Sequence, residues 1–239
     1  MQLLDLTLST AVENLALDEA LLEQAETGNQ PLEVLRIWEP TEPLVVIGRA
    51  SKLEEEVDTE VCRERGIPVL RRSSGGASVV TGQGCLMYAV VLSYERHPEL
   101  AALDVCHQYV MGRIRQAVVH EVPEVNLQGT CDLTLHDRKF SGNSLRCKRS
   151  HLIYHGTILY DFDLKLIHQL LRTPPRMPDY REERPHESFV TNVPIGRETL
   201  RRRLIEAWEV EGPMVEWPFE ATVRLAAEKY AKPEWTSMR

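Results

Sequence analysis

The chain has 239 residues and a formal net charge of −8, with the composition of an ordinary globular protein. Its length fits one large domain or two small ones, and its acidic balance argues against a nucleic-acid-binding surface. No apolar run reaches the ~18 residues of a membrane-spanning helix, and the N-terminus lacks a signal-peptide pattern. The five cysteines are scattered without zinc-ligand spacing, so we expect free thiols, no structural metal and a cytoplasmic location.

The first third of the chain alternates between predicted strands and helices. A strand is expected over 3–8, and Thr10 with Glu13 has the capping-box spacing of a helix that ends at Gly28. Two further strands are expected over residues 32–38 and 44–47, followed by a short acidic helix over 57–65. A strand over 68–72 leads into a glycine-containing loop, and a strand over 85–94 is expected to be buried on both faces.

The remaining two thirds continue this mixed pattern. A helix is predicted over residues 103–120, a hairpin over 131–145 with its turn at His136-Asp137, and a strand over 152–160. Three more helices are predicted over 163–171, 197–209 and 219–230. Residues 174–185 are rich in proline and charge, which indicates an ordered crossing loop. The irregular alternation favours one α/β (α+β) domain with a mixed central sheet flanked by helices.

A small-residue loop stands out between two apolar flanks, as Arg71-Arg72-Ser73-Ser74-Gly75-Gly76. Without bulky side chains, a ligand could approach the backbone N–H groups closely, and arginines suit phosphate and carboxylate groups. An ordinary hairpin turn with solvated arginines is the alternative.

Three further polar residues are candidates for a site. Lys139 could stabilise developing negative charge on a carbonyl or phosphate, or be an ordinary surface lysine. His155, in an apolar strand, could line a ligand or form a hydrogen bond within the core. Asp132 could orient a ribose, an adenine amine or a metal ion, or simply belong to a turn. The chain has no Gly-x-Gly-x-x-Gly or Walker lysine motif, so a Rossmann or P-loop nucleotide cradle is excluded.

The order of four segments resembles the lipoate–protein ligase A family over nearly the whole chain. The segments are Val46-Ile47-Gly48-Arg49, the loop with its approach over 66–77, Asp132-Leu133 followed by Arg138-Lys139-Phe140-Ser141-Gly142-Asn143-Ser144, and His155-Gly156-Thr157-Ile158-Leu159. The resemblance implies one catalytic domain of the biotin/lipoate–protein ligase type over residues 1–239, without the C-terminal accessory domain of longer members.

What the family resemblance implies for function is a two-step, ATP-dependent ligase. Lipoate would react with ATP, accompanied by Mg²⁺, to give lipoyl-AMP, and a lysine of an acceptor lipoyl domain would then take the lipoyl group. By similarity, Lys139 would be catalytic. The residues implied to bind lipoate or lipoyl-AMP are Arg72, Ser74, Gly75, Gly76, Ala77, Asp132, Gly142, His155, Gly156 and Thr157.

The chain also departs from the family pattern at three positions. Ala77 stands where the family has a third glycine, Thr81 replaces a histidine, and Cys85 replaces an asparagine linked to the phosphate and magnesium region. A catalytically weakened, lipoyl-binding subunit of a two-part ligase is therefore one alternative, and a separate accessory subunit is a possible partner.

An ATP-independent octanoyl or lipoyl transferase that uses a cysteine thioester is the other alternative. By similarity, the cysteines of such enzymes match Glu124, Leu127 and Leu152 of this chain. Cys131 and Cys147 remain candidates because basic neighbours such as Arg138, Lys148 and Arg149 could lower a thiol pKa. Cys85, in an apolar strand, is expected to be inert.

The resemblance names the class of acceptor. It is a lipoyl domain of a 2-oxoacid dehydrogenase, the glycine-cleavage H protein or a related carrier, and no nucleic-acid or membrane partner is expected. One hypothesis is that a local basic run receives an acidic acceptor surface; the alternative is a solvated hairpin face. The run consists of Arg138, Lys139, Arg146, Lys148 and Arg149.

Overall fold

The computed structural model describes residues 1–174 and 177–238. The strands of this part of the chain are β1 Gln2–Asp5, β2 Val34–Trp38, β3 Leu44–Ile47, β4 Val69–Arg71, β5 Val79–Thr81, β6 Cys85–Ser93, β7 Asn126–Gln128, β8 Asp132–Leu135, β9 Arg138–Ser141, β10 Asn143–Cys147, β11 His151–Leu159 and β12 Gly212–Pro213. The α-helices are α1 Ala11–Thr27, α2 Leu53–Glu56, α3 Thr59–Glu64, α4 Leu103–Val119, α5 Lys165–Leu170, α6 His186–Phe189, α7 Arg197–Ala207, α8 Phe219–Leu225 and α9 Pro233–Thr236.

A six-stranded mixed sheet forms the centre of the molecule, in the order β10-β11-β6-β2-β1-β12. Strands β10, β11, β6 and β2 pair antiparallel, whereas β2, β1 and β12 pair parallel. Every residue of β6 is buried, which confirms the prediction of a central strand covered on both faces. The predicted α/β class with a mixed sheet flanked by helices is therefore confirmed.

Two small sheets carry the segments that matter for the site. The first has the order β4-β3-β5 and presents the small-residue loop between β4 and β5. The second has the order β7-β8-β9, and β8 and β9 form the hairpin that turns at His136-Asp137. Both turn residues have positive φ, which is the backbone conformation that closes a tight hairpin.

Helix α1 packs on the central sheet and is buried on most of its surface. Thr10 and Glu13 form the predicted capping box, and Gly28 ends the helix as expected. Polar side chains occur inside this buried helix at Asn14, Asp18 and Glu19. Since buried polar groups require partners, their contacts point towards the rest of the molecule.

The predicted hairpin over 131–145 divides at Gly142. Strand β9 stays in the small sheet, whereas β10 crosses to the edge of the central sheet beside β11. The crossing is fixed because Thr157 N–H donates to the Gly142 carbonyl at 3.1 Å. The alternation of apolar and polar residues does not change where a strand passes from one sheet to another. The sequence therefore predicts a single strand over 138–145.

Other boundaries shift for local reasons. The predicted helix over 57–65 becomes α2 and α3, because the Asp58 side chain accepts from Val61 N–H at 3.2 Å and starts a new helix. The helix over 219–230 changes at Ala226 into a wider π-helical turn. Residues 175 and 176 of the proline-rich segment lie outside the described residues; the rest contains a short turn at Asp179–Arg181 before α6. Within residues 1–174 and 177–238, none of the helices has the length and apolar character needed to cross a bilayer.

Candidate active site

The two arginines before the small-residue loop are both buried. Arg71 donates from Nη1 to the carbonyls of Gly48 at 2.7 Å and Ser51 at 2.8 Å, and from Nη2 to that of Thr236 at 2.7 Å. The alternative of a hairpin turn with solvated arginines is therefore wrong. Arg71 fixes the loop by binding backbone carbonyls of two separate segments, the turn after β3 and the helix α9.

Arg72 binds carbonyls of the loop itself. Its Nη2 donates to the Gly75 carbonyl at 2.5 Å and the Ala77 carbonyl at 3.0 Å. Its Nη1 reaches the Val46 carbonyl at 3.2 Å, on the neighbouring strand β3. Because all these acceptors are neutral, they do not offset the positive charge of the buried guanidinium, which lines the first cavity described below.

The end of β3 supports the same loop through a close backbone approach. A Cβ atom on Gly48 would lie 1.9 Å from the Gly76 carbonyl oxygen, whereas a Cβ on Gly75 would meet nothing within 4 Å. Arg49 N–H also donates to the Ser74 carbonyl at 2.8 Å. Gly48 is thus required for the loop to lie against β3, although Gly48 lines neither of the cavities described below.

Gly48→Ala is expected to lower the free energy of unfolding by about 1–3 kcal/mol, because the new methyl group must displace backbone. Urea unfolding measures this change. Gly75→Ala, in the loop itself, is the matched control and should cost clearly less, since its Cβ points to open space and its φ is not positive. Equal losses for the two variants would contradict the steric explanation.

Lys139 lies on β9, with its ammonium group held by Asp132 on β8. The distance from Nζ to Asp132 Oδ1 is 2.7 Å, and the Tyr180 hydroxyl donates to Asp132 Oδ2 at 2.8 Å. A Cβ on Gly142 would lie 2.8 Å from Lys139 Cε, so glycine is needed there to leave room for the lysine. Asp132 therefore orients Lys139.

A buried hydrogen-bonded chain links His155 to the loop and to helix α1. His155 Nδ1 lies 3.0 Å from Asp18 Oδ2, and Nε2 lies 2.5 Å from Ser74 Oγ. Because a carboxylate only accepts, Nδ1 donates to Asp18, and Nε2 forms a hydrogen bond with the Ser74 hydroxyl. Ser74 Oγ in turn accepts from Arg72 Nε at 3.1 Å. Both ring nitrogens are occupied, so His155 positions the loop.

Asp18 is stabilised as a carboxylate by a buried arginine. Its Oδ1 lies 2.5 Å from Arg36 Nη1, and the Arg36 side chain is fully buried. Burial on its own would raise the pKa of Asp18, but Arg36 and the hydrogen bond from His155 outweigh burial and lower the pKa below its ordinary value. Sequence analysis missed Asp18; its signal was a charged residue inside an otherwise apolar stretch of α1.

Asn143 connects the hairpin with the central sheet. Its Nδ2 donates to the Cys131 carbonyl at 2.7 Å, and its Oδ1 accepts a hydrogen bond from the Tyr88 hydroxyl. A Cβ on Gly156 would lie 1.7 Å from Asn143 Oδ1. Gly156 therefore makes room for Asn143, which sequence analysis quoted in a motif without assigning it to the site.

Two cavities meet at Lys139. The first, of about 100 Å³, lies between the loop, α1 and β11; the second, of about 130 Å³, lies between β9, β11 and the segment from α5 to α6. The residues that line both are Ala77, Ser78, Val79, Lys139, Gly142 and Thr157.

The structure brings most of the predicted site residues to these cavities. The first cavity is lined by Arg72, Gly76, Ala77, Lys139, Gly142, His155, Gly156 and Thr157. Ser74, Gly75 and Asp132 are outside that lining and contact residues that belong to it: Ser74 through His155, Gly75 through Arg72, and Asp132 through Lys139. The arrangement places two cations, Arg72 and Lys139, at a cavity whose other walls are mainly apolar.

Residues 10–207 match the family model of the lipoyl protein ligase A/B catalytic domain. The chain belongs to this family. The match covers most of the chain and includes every predicted site residue. The predicted resemblance to the lipoate–protein ligase family is confirmed.

Individual members of the family show how far the likeness extends. The octanoyltransferase LipM of Carboxydothermus hydrogenoformans is 29% identical over an alignment of 180 positions, which covers 68% of this chain and 66% of that enzyme. The chain thus matches just under two thirds of that relative's length. A bipartite lipoate protein ligase from Thermoplasma acidophilum, studied with its E2 lipoyl domain, superposes with a TM-score of 0.80 at 22% identity, covering 100% of this chain and 96% of the other. A lipoate-protein ligase A bound with ATP gives 0.76 at 23% identity, covering 99% and 98%. These structures share the fold.

The thiol of Cys131 is not activated by its basic neighbours. Burial, with Asp132 adding to it, raises the pKa of Cys131, and the Arg138 guanidinium instead donates to the Val190 carbonyl at 2.6 Å. The expectation that basic residues lower the pKa of Cys131 is therefore wrong. Burial raises the pKa of Cys85 to about 12, in keeping with its predicted inertness. Cys147 is exposed and lies opposite Leu152 in the pairing of β10 with β11. It is four residues along β10 from Asn143.

The basic run along the hairpin does not form one continuous cationic surface. Arg146 forms an ion pair with the buried Glu19 of α1, and Lys139 is paired with Asp132. Glu19 also binds Lys229 at 2.6 Å. Two of the five basic residues are thus neutralised by carboxylates, and the hypothesis that the run receives an acidic acceptor surface stays a prediction. The chain is an enzyme of the lipoate ligase and octanoyltransferase family.

Proposed function

We propose that this enzyme activates lipoate with ATP to lipoyl-AMP and transfers the lipoyl group to a lysine of an acceptor lipoyl domain. The observation that carries the proposal is the position of Lys139, on the strip of residues shared by two cavities. Adenylation develops negative charge where the carboxylate meets the α-phosphate, and a cation at that point stabilises this charge.

The chemistry of the walls assigns one substrate to each cavity. Leu15, Val46 and Met87 give the first cavity an apolar end suited to an acyl chain, while Arg72 and Lys139 can bind its carboxylate. Phe140, Phe189 and Val190 give the second cavity flat apolar walls suited to a purine. ATP enters as its magnesium complex, so Mg²⁺ arrives with the substrate.

In the first step, a carboxylate oxygen of lipoate attacks the α-phosphorus of ATP, and the bond to pyrophosphate breaks. Lys139 stabilises the charge on the phosphorus and on the acyl oxygen, while Asp132 keeps its ammonium group oriented. In the second step, the amine of the acceptor lysine attacks the acyl carbonyl, AMP leaves, and the amine loses a proton. No side-chain nucleophile is required.

The structural neighbours support the substrates and the acceptor. One neighbour is a ligase with ATP bound, and another was studied with its E2 lipoyl domain. By this reasoning the acceptor is a lipoyl domain of a 2-oxoacid dehydrogenase, an H protein or a related carrier. A separate accessory subunit remains part of the proposal as a component of the adenylation step.

Octanoyl transfer through a cysteine thioester is the second candidate, and the likeness to the octanoyltransferase LipM favours it. The thiols of this chain argue against it. Cys131 is the cysteine next to the Lys139 hairpin, yet its pKa is raised by burial and its Sγ donates to the Asn143 carbonyl at 3.2 Å. It also lines neither of the two cavities.

Cys131→Ser is therefore expected to retain acyl transfer within about threefold of the wild type, since a serine can replace the weak thiol donor. Initial rates of transfer to a lipoyl domain measure this. Cys147→Ser is the matched control on the same hairpin. A loss of 100-fold or more at Cys131 alone would favour the thioester mechanism.

The experiment that tests the proposed function is the intact mass of a purified lipoyl domain after incubation with the enzyme. Lipoate with ATP should add the lipoyl mass, and lipoate without ATP should add nothing. If only octanoyl carrier protein produces a mass shift, the enzyme is an octanoyltransferase. If neither donor produces one, the lipoyl-binding subunit of a two-part ligase becomes the better assignment.

A further inference from the structure

Arg181 is a buried cation at the second cavity with no carboxylate beside it. Its exposed fraction is 3%, and it lines the cavity together with apolar residues. Its Nε donates to the Arg184 carbonyl at 2.8 Å, and Nη2 lies 3.4 Å from His186 Nδ1. Among residues 1–174 and 177–238, no acidic side chain lies within ion-pair distance of it.

A second guanidinium adds to the positive charge around Arg181. The Arg184 guanidinium lies over the same Phe189 ring as that of Arg181, at 5.5 Å and 4.6 Å from the ring centroid. His186 is neutral at physiological pH, because burial, together with the Arg181 charge, lowers its pKa to about 4. A buried arginine is ordinarily paired with an anion, because desolvation of the charge is costly.

The wall that carries Arg181 is fixed to the hairpin of Lys139. Tyr180, the neighbouring residue, donates to the same Asp132 carboxylate that holds Lys139. Arg184 Nη1 donates to the Asp137 carbonyl at 3.0 Å, at the tip of the hairpin. Arg181 and Lys139 therefore line one cavity from two elements that are hydrogen-bonded to each other.

We propose that Arg181 binds phosphate oxygens of the nucleotide in the second cavity. The inference rests on the proposed function, in which the acyl carboxylate is consumed beside Lys139, so that the phosphates are the anions left for this cavity. Arginine suits phosphate because its nitrogens can donate two parallel hydrogen bonds. A nucleotide phosphate supplies the negative charge that the protein does not place there.

The test measures binding of ATP, AMP, pyrophosphate and adenosine to the wild type and to Arg181→Met by calorimetry. Loss of a charge-assisted hydrogen bond should raise the Kd of ATP by about 10- to 100-fold and leave the Kd of adenosine within about twofold. Loss for ATP and pyrophosphate but not AMP assigns Arg181 to the leaving phosphates, and loss for AMP as well assigns it to the α-phosphate. An equal loss for adenosine would show that Arg181 contacts the base, and would overturn the inference.

Arg113→Met is the matched control, since Arg113 also lies over aromatic rings, those of Tyr109 and Trp208, but lines neither cavity. Its affinity for ATP should change less than threefold. A measurement on the wild type alone guards against a variant that misfolds: pyrophosphate should raise the melting temperature of the wild type, and the absence of any rise would overturn the inference.

The proposed function and this inference fail differently. If the wild type neither binds ATP nor forms lipoyl-AMP, the proposed function is wrong. If the wild type binds ATP and folded Arg181→Met binds it equally well, only the assignment of Arg181 is wrong.

Discussion

Replacement of Lys139 by alanine is expected to slow the formation of lipoyl-AMP by about 10²- to 10³-fold, the loss typical of one preorganised charge-stabilising donor. The variant should still fold, because the side chain is 28% exposed and its ion pair with Asp132 lies at the cavity. Pyrophosphate release in the presence of lipoate measures the first step. Intact mass of the lipoyl domain measures the second.

Lys52→Ala provides the matched control. Lys52 also forms an ion pair, with Glu55, but its side chain is 65% exposed and lines neither cavity. Its rate should equal that of the wild type. If Lys139→Ala kept more than a third of the wild-type rate, the charge at the junction of the two cavities would have no part in catalysis.

The substitution Asp18→Asn is expected to lower the free energy of unfolding by about 3–5 kcal/mol, because it leaves the fully buried Arg36 without its carboxylate. It should also impair acyl binding, since Asp18 fixes the His155 ring, whose other nitrogen contacts Ser74. Thermal unfolding should show a melting temperature at least ~6 °C lower. Titration with lipoate should show a raised Kd.

Asp5→Asn is the control, since Asp5 forms an ion pair with Arg201 near the surface, where the median contribution is about 0–1 kcal/mol. The pH dependence provides a second check. Folding lowers the pKa of Asp18, so its contribution is complete above the unfolded value of about 3.9 and is lost as the pH falls through the folded pKa. The difference in free energy of unfolding between the wild type and Asp18→Asn should therefore become smaller in acid. Equal melting temperatures for Asp18→Asn and Asp5→Asn at neutral pH would contradict the role of Asp18.

The parts of the molecule that local patterns specify were predictable from the sequence. The capping box at Thr10 and Glu13 defined α1, and the apolar run starting at Cys85 defined the central strand. Lys139 and His155 could be named because a resemblance to a family supplied them. Their residue types alone left the alternatives of a surface lysine and a core histidine open.

The support of the site was not predictable, because its partners lie far apart in sequence. Asp18 and His155 are 137 residues apart, and a single aspartate in a helix carries no sign of its partner. The same holds for Arg181, whose importance lies in the lack of an acidic neighbour in the described structure. Only a folded chain reveals such a lack, since acidic residues adjoin Arg181 in the sequence at Asp179 and Glu182.

The hydrogen bonds that Arg71 forms with Trp235 and Thr236, here called its clasp, also determine when the loop can reach its final geometry during synthesis. Arg71 Nη2 binds the Thr236 carbonyl and its own carbonyl accepts from Trp235 Nε1 at 2.8 Å, with 165 positions between Arg71 and Thr236. At a translation rate of about 5–20 residues per second, roughly 10 to 30 s separate the synthesis of the two residues. The nascent loop therefore leaves the ribosome long before its clasp exists, and the finished loop geometry is acquired only after translation has passed residue 236.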